Sequence, residues 1–187
     1  IYVYRNSDGV HFQTLTNPNT YSTGTSDQFG FTSCISSDYF FAGAQYEDHA
    51  DGSNSGVVYM YNIGTWTSVY TFVNPNSYDT RTSDQFGSAI ATNNVQLAVS
   101  ARYEDNAQGT NSGVVYIYDI ASKNLIRTLY NPNNYGTDDD QFCYALAMDD
   151  TYVIVGTIYE DTTNFINSGV AYVFNISTAA LVYTFTQ

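Results

Sequence analysis

Carboxylates and amides recur at a fixed spacing along this chain. Tyr46-Glu47-Asp48 returns as Tyr103-Glu104-Asp105 and as Tyr159-Glu160-Asp161. Each triplet opens a loop that closes on Asn54-Ser55-Gly56, Asn111-Ser112-Gly113 or Asn167-Ser168-Gly169. The first loop gathers Glu47, Asp48, Asp51 and Asn54, with Gly52 permitting a sharp turn. The second gathers Glu104, Asp105, Asn106 and Asn111 around Gly109. A hard cation such as Ca²⁺ takes about six to eight oxygens from carboxylates, amides and carbonyls. One expectation is that the first two loops bind Ca²⁺ weakly. The third, with Phe165 and Ile166 in the loop, then binds poorly or not at all. The competing expectation is that the acids are solvated and each Asp or Asn caps its own turn.

Other chemistry finds less support. Paired carboxylates can cleave glycosides, but Glu-Asp stands at the same place in all three copies, and one active site seldom needs three copies of its acid. His11 and His49 are not repeated and have no evident Ser or Cys partner. Phosphate loops, zinc spacings and nucleophile elbows are absent from the sequence. A non-enzymatic protein is expected, with a polysaccharide-active enzyme the remoter reading. Tyr21, Tyr78 and Tyr135 follow an Asn-Pro-Asn triplet in each copy; they either stack on sugars or pack on the proline. Asn175-Ile176-Ser177 is the sole glycosylation sequon. Cys34 and Cys143 occupy inequivalent positions, so they read as small buried hydrophobes rather than a disulfide.

The formal net charge is −13, with five Lys and Arg in total. Such a surface repels nucleic acid and anionic membranes, because phosphate contacts need clustered cations. The sequence has no apolar run long enough to span a bilayer. Charged residues make up only 12%, against roughly a quarter in typical domains, so the polar surface comes from Asn, Thr, Ser and Tyr. That composition suggests an extracellular, cell-surface or virion-surface setting. The expected partners are further copies of the chain, a surface protein or a glycan. Ile1-Tyr2-Val3-Tyr4 begins inside a strand pattern, which suggests a processed or excised piece.

The elements that must position these residues follow from an eight-residue run. Ser55-Gly56-Val57-Val58-Tyr59-Met60-Tyr61-Asn62 recurs at 112–119 and 168–175. Its β-branched and aromatic content predicts a strand. Val57, Tyr59 and Tyr61 fall on one face and Val58 and Met60 on the other, so both faces must be covered. Two strand signals precede each run: Phe31–Ile35, Ser88–Ala91 and Tyr144–Met148, then Tyr39–Ala44, Val95–Ala101 and Tyr152–Gly156. A more polar fourth strand follows: Trp66–Phe72, Asn124–Leu129 and Leu181–Phe185. The loop before the first strand ends in Asp27-Gln28-Phe29-Gly30, Asp84-Gln85-Phe86-Gly87 or Asp140-Gln141-Phe142-Cys143. There Asp27, Asp84 and Asp140 are expected to lock a turn, and Phe29, Phe86 and Phe142 to fill the core between units. Gly30 and Gly87 suit a tight turn, whereas Cys143 implies a negative φ in the third copy. Four antiparallel strands per unit predict an all-β, β-propeller-like array of four-stranded antiparallel blades. The units are a half blade at 1–16 and three full blades at 17–73, 74–130 and 131–187, forming one continuous repeat domain.

Asp-Gln-Phe-Gly, an apolar strand ending Ala42-Gly43-Ala44, an acidic loop and Asn54-Ser55-Gly56-Val57-Val58-Tyr59-Met60-Tyr61 together resemble the FG-GAP repeat of the integrin α-subunit β-propeller. The style is closest to bacterial and phage-associated variants with Asn-Pro-Asn linkers. The resemblance covers nearly the whole chain. It departs where the proline expected after Gly-Ala is Gln45, Arg102 or Ile158, and where the integrin-type calcium loop is not reproduced. It implies a propeller, an extracellular setting and binding or adhesion. Two functions follow as expectations. One is a structural or adhesive repeat protein, the building block of a fibre or surface assembly, since a half blade leaves an edge that recruits strands. The alternative is a ligand-binding propeller fragment of integrin type that grips a protein or glycan.

Overall fold

In the computed structural model, which describes residues 1–21, 24–50, 52–133, 139–163 and 165–186, the regular structure among the described residues is all β-strand. Asp51 and Tyr135 lie outside the described residues. Strands β1 (Tyr2–Tyr4) and β2 (His11–Thr14) pair antiparallel as a two-stranded sheet. The first four-stranded sheet holds β3 (Thr32–Ile35), β4 (Tyr39–Ala44), β5 (Val57–Asn62) and β6 (Thr67–Val73). The second holds β7 (Phe86–Thr92), β8 (Gln96–Ala101), β9 (Val114–Asp119) and β10 (Leu125–Tyr130). The third holds β11 (Ala145–Met148), β12 (Tyr152–Thr157), β13 (Val170–Asn175) and β14 (Leu181–Phe185). Strand order follows chain order in each sheet and every pairing is antiparallel. The chain is thus an all-β, propeller-like array of three four-stranded blades and a half blade.

The third strand of each blade explains how the blades stack. Val57, Tyr59 and Tyr61 enter one buried cluster with Leu15, against Ile1 and Val3 of the half blade. Val58 and Met60, on the opposite face, enter another with Phe86, Tyr116 and Tyr118 of the second blade. One blade on, Val115 and Ile117 cluster with Phe142, Tyr172 and Phe174 of the third. The period of two along a strand therefore sends alternate residues to the preceding and the following blade. Phe86 and Phe142 are fully buried at these junctions; burying such a side chain contributes about 1.5–3 kcal/mol.

The Asn or Asp that stops each run starts a hairpin turn. Asn62 Oδ1 accepts from the Thr65 amide, Asp119 from Ser122 and Asn175 from Thr178. Each turn closes through a residue of positive φ: Trp66, Lys123 or Ala179. Asn175, the sequon residue, thus has its carbonyl oxygen engaged by Thr178 and Ser177.

The expectation for Cys143 is corrected. Its φ is +76°, matching +86° at Gly30 and +87° at Gly87. Hydrogen bonds on either side hold the backbone: Phe142 N–H to Ser112 O, and Tyr144 N–H to Gly156 O. The repeat geometry overrides the residue's own preference, at a cost of about 1–3 kcal/mol. Both thiols are free. Burial pushes the Cys34 thiol up to about 12 and raises that of Cys143 as well. Neither is a thiolate at about pH 8, so a thiol reagent will label both only after denaturation. Rapid labelling of the native protein would show that these sites open.

Candidate functional site: a buried acid cluster in each blade

The Asn-Pro-Asn linker folds back on itself through its first asparagine. Asn19 N–H donates to Asn17 Oδ1 at 3.0 Å and Tyr21 N–H to Asn19 Oδ1 at 2.7 Å. The second blade repeats this with Asn76 N–H to Asn74 and Tyr78 N–H to Asn76, at 2.9 and 2.7 Å. With both carbonyl oxygens occupied, both amide nitrogens turn the other way. Asn17 and Asn19 donate to Asp27 Oδ2 at 2.8 and 2.9 Å. Asn74 and Asn76 donate to Asp84 Oδ2 at 2.7 and 3.1 Å. In the third blade Asn131 donates to Asp140 Oδ2 and to Glu160 Oε2, both at 3.0 Å.

The glutamate of each acidic loop points into this cluster rather than into solvent. Glu47, Glu104 and Glu160 are all buried. Each accepts the phenol of the central strand: Tyr59 on Glu47, Tyr116 on Glu104, and Tyr172 on Glu160 at 3.0 Å. Oε2 of Glu47 and of Glu104 has no hydrogen bond of good geometry. Burial pushes the Glu104 carboxyl up to about 8; the Tyr116 phenol opposes this and the charge of Asp84 adds to it. Burial likewise takes Glu47 to about 7 and Asp84 to about 6, and raises Glu160. The paired phenols of Tyr59, Tyr116 and Tyr172 are raised by burial and by their acids. This cluster is therefore a place where acids hold protons near neutral pH.

The remaining loop residues serve the backbone. Asp48 Oδ1 accepts Asn54 N–H at 2.9 Å, Asp105 Oδ1 accepts Asn111 N–H at 2.7 Å, and Asp161 Oδ1 accepts Asn167 N–H at 2.7 Å. Asn54, Asn111 and Asn167 all take positive φ, which asparagine tolerates. Asn106 receives Gln108 N–H and donates weakly to Gly113 O. Of the sequence's calcium candidates, then, Glu47 and Glu104 lie beneath the loop, while Asp48, Asp105, Asn54 and Asn111 shape it. Among the described residues, no group of three or more His, Cys, Asp or Glu is arranged to hold a metal ion.

The same two motifs also join blade to blade. Ser83, Gln85 and Phe86 donate backbone N–H groups to the carbonyls of Ser53, Asn54 and Ser55. Asp139, Gln141 and Phe142 do the same to Thr110, Asn111 and Ser112. Asn-Ser-Gly of one blade is the receptor for Asp-Gln-Phe of the next. Residues to which the sequence assigned no role also work here. Gln28, Gln85 and Gln141 adopt positive φ. Arg102 reaches Gln85 Oε1 at 2.9 Å and lies over the rings of Tyr103 and, across the junction, Tyr144. Only the repetition of Gln after Asp hinted at the first of these.

Beside the cluster each of the first two blades opens a cleft. In the second blade it measures about 540 Å³ and runs from Pro75 and Tyr78 past Glu104 and Gln108 to Tyr130. Its counterpart in the first blade, about 390 Å³, runs from Pro18 and Tyr21 past Glu47 and His49 to Val73. Tyr21 stacks on His49 with ring centroids 6.1 Å apart.

Comparison with known proteins agrees with this anatomy. A family profile described as the FG-GAP repeat matches residues 76–118 and 134–174. Each span runs from the Asn-Pro-Asn linker region through the central strand. No curated protein matches the chain. Among solved structures, it is similar over 100% of its length to a chain of "Crystal Structure of Mitotic Checkpoint Complex", with a TM-score of 0.62 and 15% identity. It is similar over 80% of its length to a chain of "Structure of U3-55K", with a TM-score of 0.50 and 11% identity. At such identities the likeness is one of fold. The chain spans 44% and 36% of the two. The described residues of 17–73 repeat the strand pairing and hydrogen bonds of the matched spans. The chain carries FG-GAP repeats at residues 76–118 and 134–174, within a β-propeller-type repeat domain.

Proposed function

We propose that the chain is a structural, non-catalytic repeat module of an extracellular or surface assembly, working by self-association. The observation that carries this reading is the acid cluster. Its carboxylates are buried, repeated in every blade and committed to linker amides and phenols. Acids placed this way lock a linker onto its blade. FG-GAP repeats are typical of extracellular and surface proteins, and the acidic, lysine-poor composition fits that setting. Electron microscopy of native, unconcentrated material tests the proposal. Filaments or regular multimers are expected, and single discrete particles at every concentration would overturn it.

In this reading calcium is not needed. The loop carboxylates already accept backbone amides, and the buried ones face N–H and O–H donors. Adding Ca²⁺, or removing it with a chelator, will leave the melting temperature unchanged. A rise with Ca²⁺ would restore Asp48, Asp105 and their neighbours as cation ligands, since a ligand of the native state stabilises it.

The repeated cleft favours a second reading, glycan binding. Tyr78 and Tyr130 form two of its walls, and Asn106 and Gln108 bring amides to it. Aromatic faces with a few convergent polar groups suit a saccharide. Tyr78→Ala with Tyr130→Ala would abolish such binding while leaving assembly intact.

A further inference from the structure

The second blade has a full blade on either side, and every residue lining its cleft comes from that blade. The cleft is thus built by one repeat alone. Tyr78, Glu104 and Tyr116 stand there where Tyr21, Glu47 and Tyr59 stand in the first-blade cleft. One polar atom at each cleft lacks a partner. Glu104 Oε1 accepts the Tyr116 phenol and Glu47 Oε1 the Tyr59 phenol. Oε2 of each is buried without a hydrogen bond of good geometry. Asn74, beside Glu104, donates instead to Asp84, and Asn17, beside Glu47, to Asp27. The third blade closes the same position itself: Asn131 spans Asp140 Oδ2 and Glu160 Oε2, each at 3.0 Å. A buried acceptor without a donor is costly. The first two blades therefore hold open an acceptor that the third satisfies internally.

The surroundings select a positively charged donor. Among the described residues no Lys, Arg or His lines the second-blade cleft, and Asp84 and Asp79 act on Glu104 with further negative charge. Arg81, on the same linker, donates its Nε–H to Asn76 O at 2.6 Å. Tyr78, Tyr116 and Tyr130 line the cleft, and aromatic rings attract cations. Ser77 and Thr128 add hydroxyls. Glu104 is 2% exposed, so water competes little for a charge-assisted hydrogen bond to it.

We propose that the second-blade cleft takes a glycan bearing a free amine, an amino sugar that is not acylated, with its ammonium on Oε2 of Glu104 and its ring against Tyr78 and Tyr130. The first-blade cleft offers Glu47 and Tyr21 at the same places. Near neutral pH Glu104 holds a proton. An amine that arrives uncharged takes that proton and becomes the ammonium; one that arrives charged displaces it to solvent. Both routes end in one carboxylate–ammonium pair. The proposal rests on the reading of the cleft as a glycan site and names the class of glycan.

The test is calorimetric titration of the full chain, at about 0.15 M salt to screen distant charges. The probes are the β-1,4-linked disaccharide of glucosamine and its fully N-acetylated form, which differ only in the acetyl groups that remove the charge. The amine form is expected to bind at least about tenfold more tightly. Glu104→Gln with Glu47→Gln will erase that difference. Those variants keep an oxygen for each phenol, and circular dichroism checks that they fold. Tyr78→Ala with Tyr130→Ala, at exposed positions, will weaken binding in the second blade while leaving the acids in place. Equal affinity for the two probes would overturn the amine assignment and leave the glycan reading standing. Binding of neither would overturn both. Amine binding that survives the glutamine variants would reflect the net charge of −13 rather than this site, and would overturn the proposal as well.

Discussion

Raising the pH from about 5 to about 8.5 will lower the stability of this protein, the reverse of ordinary acid denaturation. Glu104 has a folded value near 8, against 4.5 for the free side chain. Between those values the folded state keeps a proton that the unfolded chain releases. The unfolded state then binds fewer protons, and stability falls as pH rises. The contribution is fully present below about pH 4.5 and is lost as pH climbs through 8. Glu47, near 7, and Asp84, near 6, act in the same direction. One pKa unit corresponds to about 1.4 kcal/mol. Neighbouring acids share their deficits, so the combined loss is on the order of 3–5 kcal/mol rather than the full sum. Glu104→Gln isolates one member. It keeps an oxygen for the Tyr116 hydroxyl and removes the titration, so it will be close to neutral at about pH 5 and stabilising at about pH 8. Denaturant melts of both proteins across that range decide the matter. A wild-type midpoint that holds or rises with pH would mean that these acids are charged in the fold.

Gly113→Ala will cost about 3 kcal/mol or more, while the same change at Gly169 will cost about 1 kcal/mol. Both glycines have positive φ, +80° and +73°, so both substitutions carry the backbone penalty. They differ in what a methyl group would meet. At Gly113 it would lie 2.5 Å from Phe142 O and 2.8 Å from Phe142 N, in the backbone of the next blade. At Gly169 its nearest neighbours are at 3.4 Å, within its own blade. The difference between the two midpoints in urea thus measures the tightness of one blade junction. Equal losses would show that the junction has room to give.

Much of this architecture was legible in the chain because strands and turns are local. The alternation in Val57–Asn62 told which residues face which neighbour, and the Asn or Asp after each run marked the turn it caps. The acid cluster was not legible in the same way. Glu47 adjoins Asp48 in sequence, and nothing in that dipeptide separates an acid that shapes a loop from one that turns under it to meet Tyr59. Their separation depends on where the linker asparagines, some thirty residues earlier, present their amides. Cys143 misled for a related reason. Its φ is imposed by hydrogen bonds to Ser112 and Gly156, partners invisible at the position itself.

Each unit also carries its own internal partners. Within 74–130, Asn74 and Asn76 hold Asp84, and Tyr116 holds Glu104. Excising those residues would bring Phe72 opposite Phe174, and Asn54 and Ser55 opposite Gln141 and Phe142, all pairings of a kind already present. Unequal recombination between the repeats of such a gene therefore changes the length of the product in steps of one blade, with no new surface to be invented at the seam.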